Sequence, residues 1–332
     1  MAHSRLPRLT ALAGALLAPA FLGGCGDAPR SATLAVATAG TGGVYYLLGG
    51  ALAELWTREL PDHIAVAEVT GGSVENLNLL LRREVAVAFS MGTNALQAHD
   101  AAPPFAGYGQ GEVLALAALY PNVLHLVTLR DSEVGGLEDF RGRRISVGAP
   151  GSGTEVGART LLEANGITYD DIRVQRLNFN ETANALRDGQ ADVGFWSVGV
   201  PTGSVMDLAT ARSVRLLSLT PQEVERARGR DGTLRRYLIA AGTYPGQDEV
   251  VETVATPNVL VVRRDLPDEL AHALARSLFQ GAGRLAEVHP VARSVTPEYT
   301  LENAAIPLHP GVVRYLEEEG YTVPAHLRIG GG

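Results

Sequence analysis

One order of elements occurs twice in this chain of 332 residues, and it restricts the fold more than any single motif does. In the first half, Thr33 to Thr38 reads as a strand, Ala39-Gly40-Thr41-Gly42-Gly43 as a turn, and Val44 to Leu60 as a helix closed by Pro61. Ile64 to Val69 follows as a strand, Ser73 to Leu81 as a helix and Val85 to Ser90 as a strand. In the second half, Ile145 to Gly148 is a strand, Ala149 to Thr154 the turn, and Glu155 to Asn165 a helix stopped by Gly166. Ile172 to Leu177 is then a strand, Asn180 to Asp188 a helix and Ala191 to Trp196 a strand. Short apolar runs alternating with amphipathic stretches predict α/β units around a largely parallel sheet. The two halves also align at a constant offset, which pairs Glu75 with Glu181, Asn78 with Asn184, Leu80 with Leu186, Val87 with Val193 and Phe89 with Phe195. Two lobes built from one supersecondary unit are therefore expected.

A second repetition suggests how such lobes join. Tyr120-Pro121-Asn122-Val123-Leu124 is echoed by Thr256-Pro257-Asn258-Val259-Leu260. Two extended segments of this kind suit paired crossover strands, one leaving the first lobe and one returning to it. The expected boundaries are 33–124 with 258–332 for lobe I and 125–257 for lobe II, with a hinge near 120–126 and 254–260. Between the second unit and the return come the strand Val214 to Ser218 and a polar, Arg-rich stretch from Pro221 to Arg236. Helices from Pro267 to Ala286 and from Gly311 to Glu319 would pack back on lobe I. Two lobes on such strands form a cleft that can close around a ligand.

The N-terminus reads as an export signal: basic His3, Arg5 and Arg8, an apolar run from Leu9 to Leu22, then Leu22-Gly23-Gly24-Cys25. The apolar run is short against the ~20 residues of a membrane span. Leucine, two small residues and cysteine resemble a bacterial lipobox. In that reading residues 1–24 are a lipoprotein signal peptide, Cys25 is lipidated, and 25–32 are a tether; a plain secretory signal with an incidental cysteine is the alternative. Cys25 is the only cysteine, so none remains for an intrachain disulfide. No later segment is apolar enough to span a membrane. A body outside the cytoplasm, in the periplasm or on the cell surface and monomeric, is expected. The 46% hydrophobic content suffices for sizeable cores, and the net charge of −8 comes without a basic stripe, which argues against nucleic acid as a partner.

The loops that end the expected strands carry Gly, Ser or Thr: Gly42-Gly43, Thr70 to Ser73, Ser90 to Thr93, Gly151 to Thr154, Trp196 to Gly199, and Pro201 to Gly203. Ligands of open parallel sheets bind outside the carboxyl ends of the strands. Gly148 to Thr154 resembles a phosphate loop at first sight. Glu155, however, stands where a phosphate loop needs lysine. What remains is a strand-to-helix turn whose free N–H groups suit a carboxylate, with Ser152 and Thr154 as further donors. Alternatively, Ser152 or Thr154 simply caps the helix, which is worth about 1 kcal/mol. In lobe I, Tyr45 and Tyr46 stand at the equivalent helix start, one of them expected to pack inward. No metal-ligating cluster, no Gly-x-Ser-x-Gly elbow and no histidine assignable as a base to Ser152 is found, so neither catalysis nor a cofactor is indicated.

Several stretches resemble, in order and over nearly the whole mature chain, the TAXI-type solute-binding proteins of tripartite ATP-independent periplasmic (TRAP) transporters. They are GTGGVYYLLGGALAEL, VTGGSVENLNLL, AFSMG, ALYPNVLHLVT, ISVGAPGSGTEV and GFWSVGVPTGSVMDLA, then AGTYPGQDE and PLHPG. The resemblance implies an α/β, type II periplasmic-binding-protein fold, with two lobes joined by two crossover strands and a ligand cleft between. It implies capture of a small organic anion, of the acidic amino acid or dicarboxylate class such as glutamate, and delivery to membrane permease subunits driven by an ion gradient. Carried onto this sequence, the ligand-binding residues are Gly42, Gly43, Tyr45, Tyr46, Ser73, Asn76, Ser90, Ser152, Gly153, Thr154, Trp196, Val198 and Thr202. No arginine lies in a matched cleft loop, so backbone donors and hydroxyls would hold the carboxylate. A sensor module of the same fold that serves a signalling receptor, and an enzyme on this fold, are the rival readings.

Overall fold

The computed structural model describes Met1 and residues 32–330; the signal segment, Cys25 and its lipidation lie outside the described residues. The first α/β unit runs β1 (Ala32–Ala37), α1 (Val44–Glu59), β2 (His63–Glu68), α2 (Ser73–Leu81), β3 (Val87–Met91) and α3 (Gly92–His99). The long strand β4 (Val113–Leu129) carries the chain onward. The second unit is β5 (Arg144–Ser146), α4 (Gly153–Ala164), β6 (Arg173–Gln175), α5 (Phe179–Arg187), β7 (Val193–Val198) and α6 (Gly203–Ala211). Then come β8 (Val214–Leu216), α7 (Pro221–Arg230), β9 (Arg235–Ile239) and the second long strand, β10 (Val251–Arg263). The C-terminal helices are α8 (Asp268–Gln280), α9 (Ala282–Val288), α10 (Pro297–Asn303) and α11 (Pro310–Glu318).

A single mixed sheet runs through the whole of this body in the order β2-β1-β3-β10-β4-β7-β5-β6, with β8 added to β4 and β9 to β10. The order is the same unit read inward from either end. In each half a parallel trio is completed by an antiparallel long strand: β10 beside β3, and β4 beside β7. The constant offset seen in the sequence maps α2 onto α5 and the start of β3 onto the start of β7. The long strands pair antiparallel with each other, and the two Pro-Asn-Val-Leu motifs meet there, with Pro257 opposite Pro121 and Asn258 opposite Tyr120. The α/β, two-lobed periplasmic-binding-protein fold expected from the sequence is thus the observed one, with the sheet mixed where a largely parallel one was expected.

Apolar burial follows the periods of the elements. Helix α2 buries Ser73, Asn76, Leu77 and Leu80, a one-sided stripe at helical spacing. In β7, Val193 and Phe195 belong to a cluster with Phe140, Ile145 and Leu161, whereas Trp196 and Val198 face the cluster of α5 and α6, so its alternate residues cover the sheet's two faces.

Some elements depart from expectation. The single helix expected from Pro267 to Ala286 is two, broken at Gly281, where Leu55 packs so closely that a Cβ would lie 2.5 Å from its Cδ2. The Arg-rich stretch after Pro221 contains helix α7, which buries only Val224 and Ala227 and so shows almost no apolar period. Its signal was in the cap: Thr220 and Glu223 form a reciprocal capping box, with Pro221 in the first turn. Helix α3 starts directly at the end of β3, with no turn residues to announce it.

Candidate functional site

A cavity of about 60 Å³ lies between the two units, at the carboxyl ends of β1, β2, β3, β5 and β7. Four helices begin at its wall: α1 with Gly43, Val44 and Tyr45, α2 with Gly72 and Ser73, α4 with Ser152, Gly153 and Thr154, and α5 with Asn178 and Phe179. Each helix start presents N–H groups without an intrahelical partner and roughly half a positive charge. Among the described residues, none that lines the cavity bears a formal charge.

The turns explain why the helix starts can come so close. Gly148 and Gly151 have φ of 105° and 72°, and Gly72 has φ of 118°, all in the region that disfavours side chains. Ser152 is the N-cap of α4: its side-chain oxygen accepts from the Glu155 N–H at 3.1 Å, leaving its hydroxyl hydrogen available. Gly153 lies against the other unit; a Cβ there would sit 2.4 Å from Met91 Sδ and 2.7 Å from both Asn94 Oδ1 and Ser73 Oγ. The Ser73 hydroxyl accepts from the Met91 N–H at 3.1 Å, and the Thr154 hydroxyl accepts from the Ser197 N–H at 3.3 Å, so each ties a helix start to a strand end.

Tyr45 forms one wall. Its ring stacks near Phe89, with centroids 5.0 Å apart, and its hydroxyl accepts from Asn122 Nδ2 at 2.8 Å. Burial pushes its ionisation well above the usual phenol range, with the Asn122 and Ser73 hydrogen bonds opposing it, so the group is a neutral phenol at physiological pH. The carboxylates nearest the lining are engaged elsewhere: Glu75 accepts from the Gly71 N–H at 2.7 Å, and Glu155 pairs with Arg176 at 2.7 Å and Arg159 at 3.6 Å.

The two units touch around this cavity. The Gly151 carbonyl accepts from the Val74 and Glu75 N–H groups at 3.0 and 3.1 Å, so a loop of the second unit caps helix α2 of the first. Asn180 Nδ2 donates to Thr41 Oγ1 at 3.2 Å, and Thr93 Oγ1 donates to Asp231 Oδ2 at 2.7 Å.

Of the ligand-binding residues expected from the sequence, Gly43, Tyr45, Ser73, Ser152, Gly153, Thr154 and Val198 line the cavity. Gly42 does not; it packs against Asn180, and a Cβ there would lie 2.4 Å from Asn180 Oδ1. Tyr46 points outward and is 38% exposed. Asn76 is wholly buried behind the site, its amide donating to the carbonyls of Ala37, Thr38 and Phe89. The buried Ser90 hydroxyl donates to the Met91 carbonyl. Trp196 does not line the cavity; it stacks behind Phe179 and donates to Ser204 Oγ at 3.1 Å. Thr202 is buried, its hydroxyl directed at the Gly42 carbonyl at 3.4 Å. Thr70 and Met91 line the cavity from strand-end loops already singled out, while Asn178 and Phe179 are lining residues that sequence reasoning missed. Asn178 had a legible signal: with Glu181 it forms a capping box.

Among the described residues, no group of three or more His, Cys, Asp or Glu residues could hold a metal ion, and no helix is long and apolar enough to cross a membrane. The arrangement provides neutral donors in a partly apolar enclosure, which suits the binding of a small solute.

Solved structures share this architecture. A protein from Bordetella bronchiseptica RB50 matches with a TM-score of 0.55 at 15% identity, over 88% of this chain and 99% of that one. XAC2383 from Xanthomonas citri, solved bound to ATP, gives 0.51 at 15% identity, over 86% of this chain and 99% of that one. A Listeria monocytogenes protein described as an L-cystine ABC transporter gives 0.50 at 12% identity, over 82% of this chain and 99% of that one. These likenesses concern the fold. The sequence itself matches the model of the NMT1-like family over residues 36–320, most of the chain, and the protein belongs to that family.

Proposed function

We propose that this is an extracytoplasmic solute-binding protein that captures a small organic anion between its lobes and hands it to a membrane permease. The observation that carries the reading is the convergence of four helix N-termini on one cavity with no charged lining residue. Pre-oriented N–H groups in such an enclosure favour a negative ligand without a counter-charged side chain. The paired Pro-Asn-Val-Leu segments of β4 and β10 serve as the hinge, and the contacts of Gly151, Asn180 and Asp231 with the first lobe hold the closed state. In this reading the lobes divide near Leu124 and Asn258. The N-terminal sequence supports export and anchoring through lipid on Cys25 to an envelope membrane.

For the permease, the sequence motifs from GTGGVYYLLGG to PLHPG support the TRAP type, driven by an ion gradient. The fold likeness to the Listeria protein described as an L-cystine ABC transporter favours a second reading, an ATP-driven importer. Uptake into vesicles that contain either permease class, energised by an ion gradient or by ATP, distinguishes them. The binding function is tested by thermal shift of the full chain against organic anions, neutral sugars and organic cations. Ligand at about 100 times its Kd adds roughly 2.7 kcal/mol. Anions should raise the melting temperature; stabilisation by sugars or cations alone would remove the anion reading.

A further inference from the structure

We propose that the ligand is a short monocarboxylate with an uncharged tail, rather than the dicarboxylate or amino acid that the sequence motifs suggest. This rests on the anion-binding reading above and narrows it.

Size is the first argument. The lobes already touch on several sides of the cavity, through Gly151, Asn180 and Gly71, whose Cβ position lies 2.5 Å from the Pro150 carbonyl. Closure therefore leaves about 60 Å³ for the ligand. At about 10–15 Å³ of such space for each water, that is room for roughly four to six waters. Acetate, propanoate and pyruvate fit a space of that order without a long tail to place.

Charge is the second. One carboxylate can be held by the N–H groups of Gly153 and Thr154 and the Ser152 hydroxyl at the start of α4. Among the described residues, a second carboxylate would find no Lys or Arg on the wall. An ammonium group would find no carboxylate on the wall, since Glu75 is turned to the Gly71 N–H. An enclosed charge without a partner is strongly disfavoured.

The remaining wall is the third. Val44, Met91, Phe179 and Val198 offer carbon and sulfur to whatever the carboxylate carries. A methyl or ethyl group gains from that surface, and a second ionised group does not.

The test is calorimetric titration of the full chain with acetate, propanoate, pyruvate, hexanoate, succinate and glutamate at constant ionic strength. The expected result is that at least one of the three short monocarboxylates binds tenfold or more tightly than succinate, glutamate and hexanoate. Succinate or glutamate binding as tightly would overturn the charge argument, and hexanoate binding as tightly would overturn the size argument; both leave the anion reading standing. Binding of none of the anions, with sugars or cations binding instead, would remove the anion reading itself.

Discussion

Asn258 and Tyr120 face each other across the two crossing strands; both are fully buried, and neither side chain finds a hydrogen-bond partner of ordinary geometry. The Tyr120 hydroxyl feels the Asn258 amide, but burial dominates and pushes its ionisation far up. An unsatisfied buried amide costs about 1–3 kcal/mol, and an apolar group of similar shape avoids that cost. Asn258→Leu should raise the unfolding free energy by about that amount. Equilibrium urea denaturation checks it, and a loss of stability would show that the amide has a partner.

Next to this pair, Pro121 and Pro257 are direct neighbours in the same ladder. A proline limits backbone freedom in whichever lobe arrangement is populated. Exchanging a compatible proline for alanine costs about 0.4–1 kcal/mol through that freedom. If the open state gains most of it, the double substitution Pro121→Ala, Pro257→Ala should weaken ligand binding roughly two- to tenfold. No wall residue is touched. Titration calorimetry on the double variant, with an unchanged ligand contact set, reads the effect.

Gly153→Val should separate binding from folding. The Cβ at this position would collide with Met91, Asn94 and Ser73 of the facing lobe. The first turn of α4 can accept valine locally, so the collision is relieved by holding the lobes apart. Affinity should fall at least tenfold while the melting temperature moves by only a few degrees. Small-angle scattering should show a larger radius of gyration with ligand present. Unchanged affinity would return the loop to a plain structural turn.

His125 gives a pH dependence with a definite sign. It is 1% exposed, with Nδ1 at 2.9 Å from the Val123 carbonyl and Nε2 at 2.9 Å from the Tyr244 hydroxyl. Burial is the main cause that lowers its pKa from 6.5 to about 4, against backbone hydrogen bonds that raise it. The folded state therefore holds it neutral in a range where the unfolded chain binds a proton. Above pH 6.5 it is neutral in both states and costs nothing; as pH falls from 6.5 to about 4, stability is lost. The loss from this group is on the order of 3 kcal/mol. In His125→Gln the fall of stability over that window should be shallower, as measured by denaturation at several pH values.

How much of the site was legible depended on whether the signal was local. The turn Gly148 to Thr154 and the helix that follows it came from turn chemistry and strand ends, and the seven expected residues on the cavity wall from the family resemblance together with those strand-end loops. Tyr45 and Tyr46 could not be separated in the sequence, because neighbours on a helix point about 100° apart and either could face the core. Packing against Phe89 and the bond from Asn122 put Tyr45 on the wall and left Tyr46 outside. Trp196 lies on β7 but donates to Ser204 of α6, and the Ser90 hydroxyl on β3 donates to the adjacent Met91 carbonyl.

The sequence by itself determined the repeated α/β unit and the pairing of the two Pro-Asn-Val-Leu strands, because periodicity, turn residues and motif spacing are properties of short stretches. Tertiary structure alone decided that four helix starts from two distant parts of the chain meet at one uncharged cavity, how small it is, and that Gly153 and Gly151 lie against the opposite lobe. Those facts depend on the packing of segments more than fifty residues apart, and no local pattern records how closely two such surfaces approach.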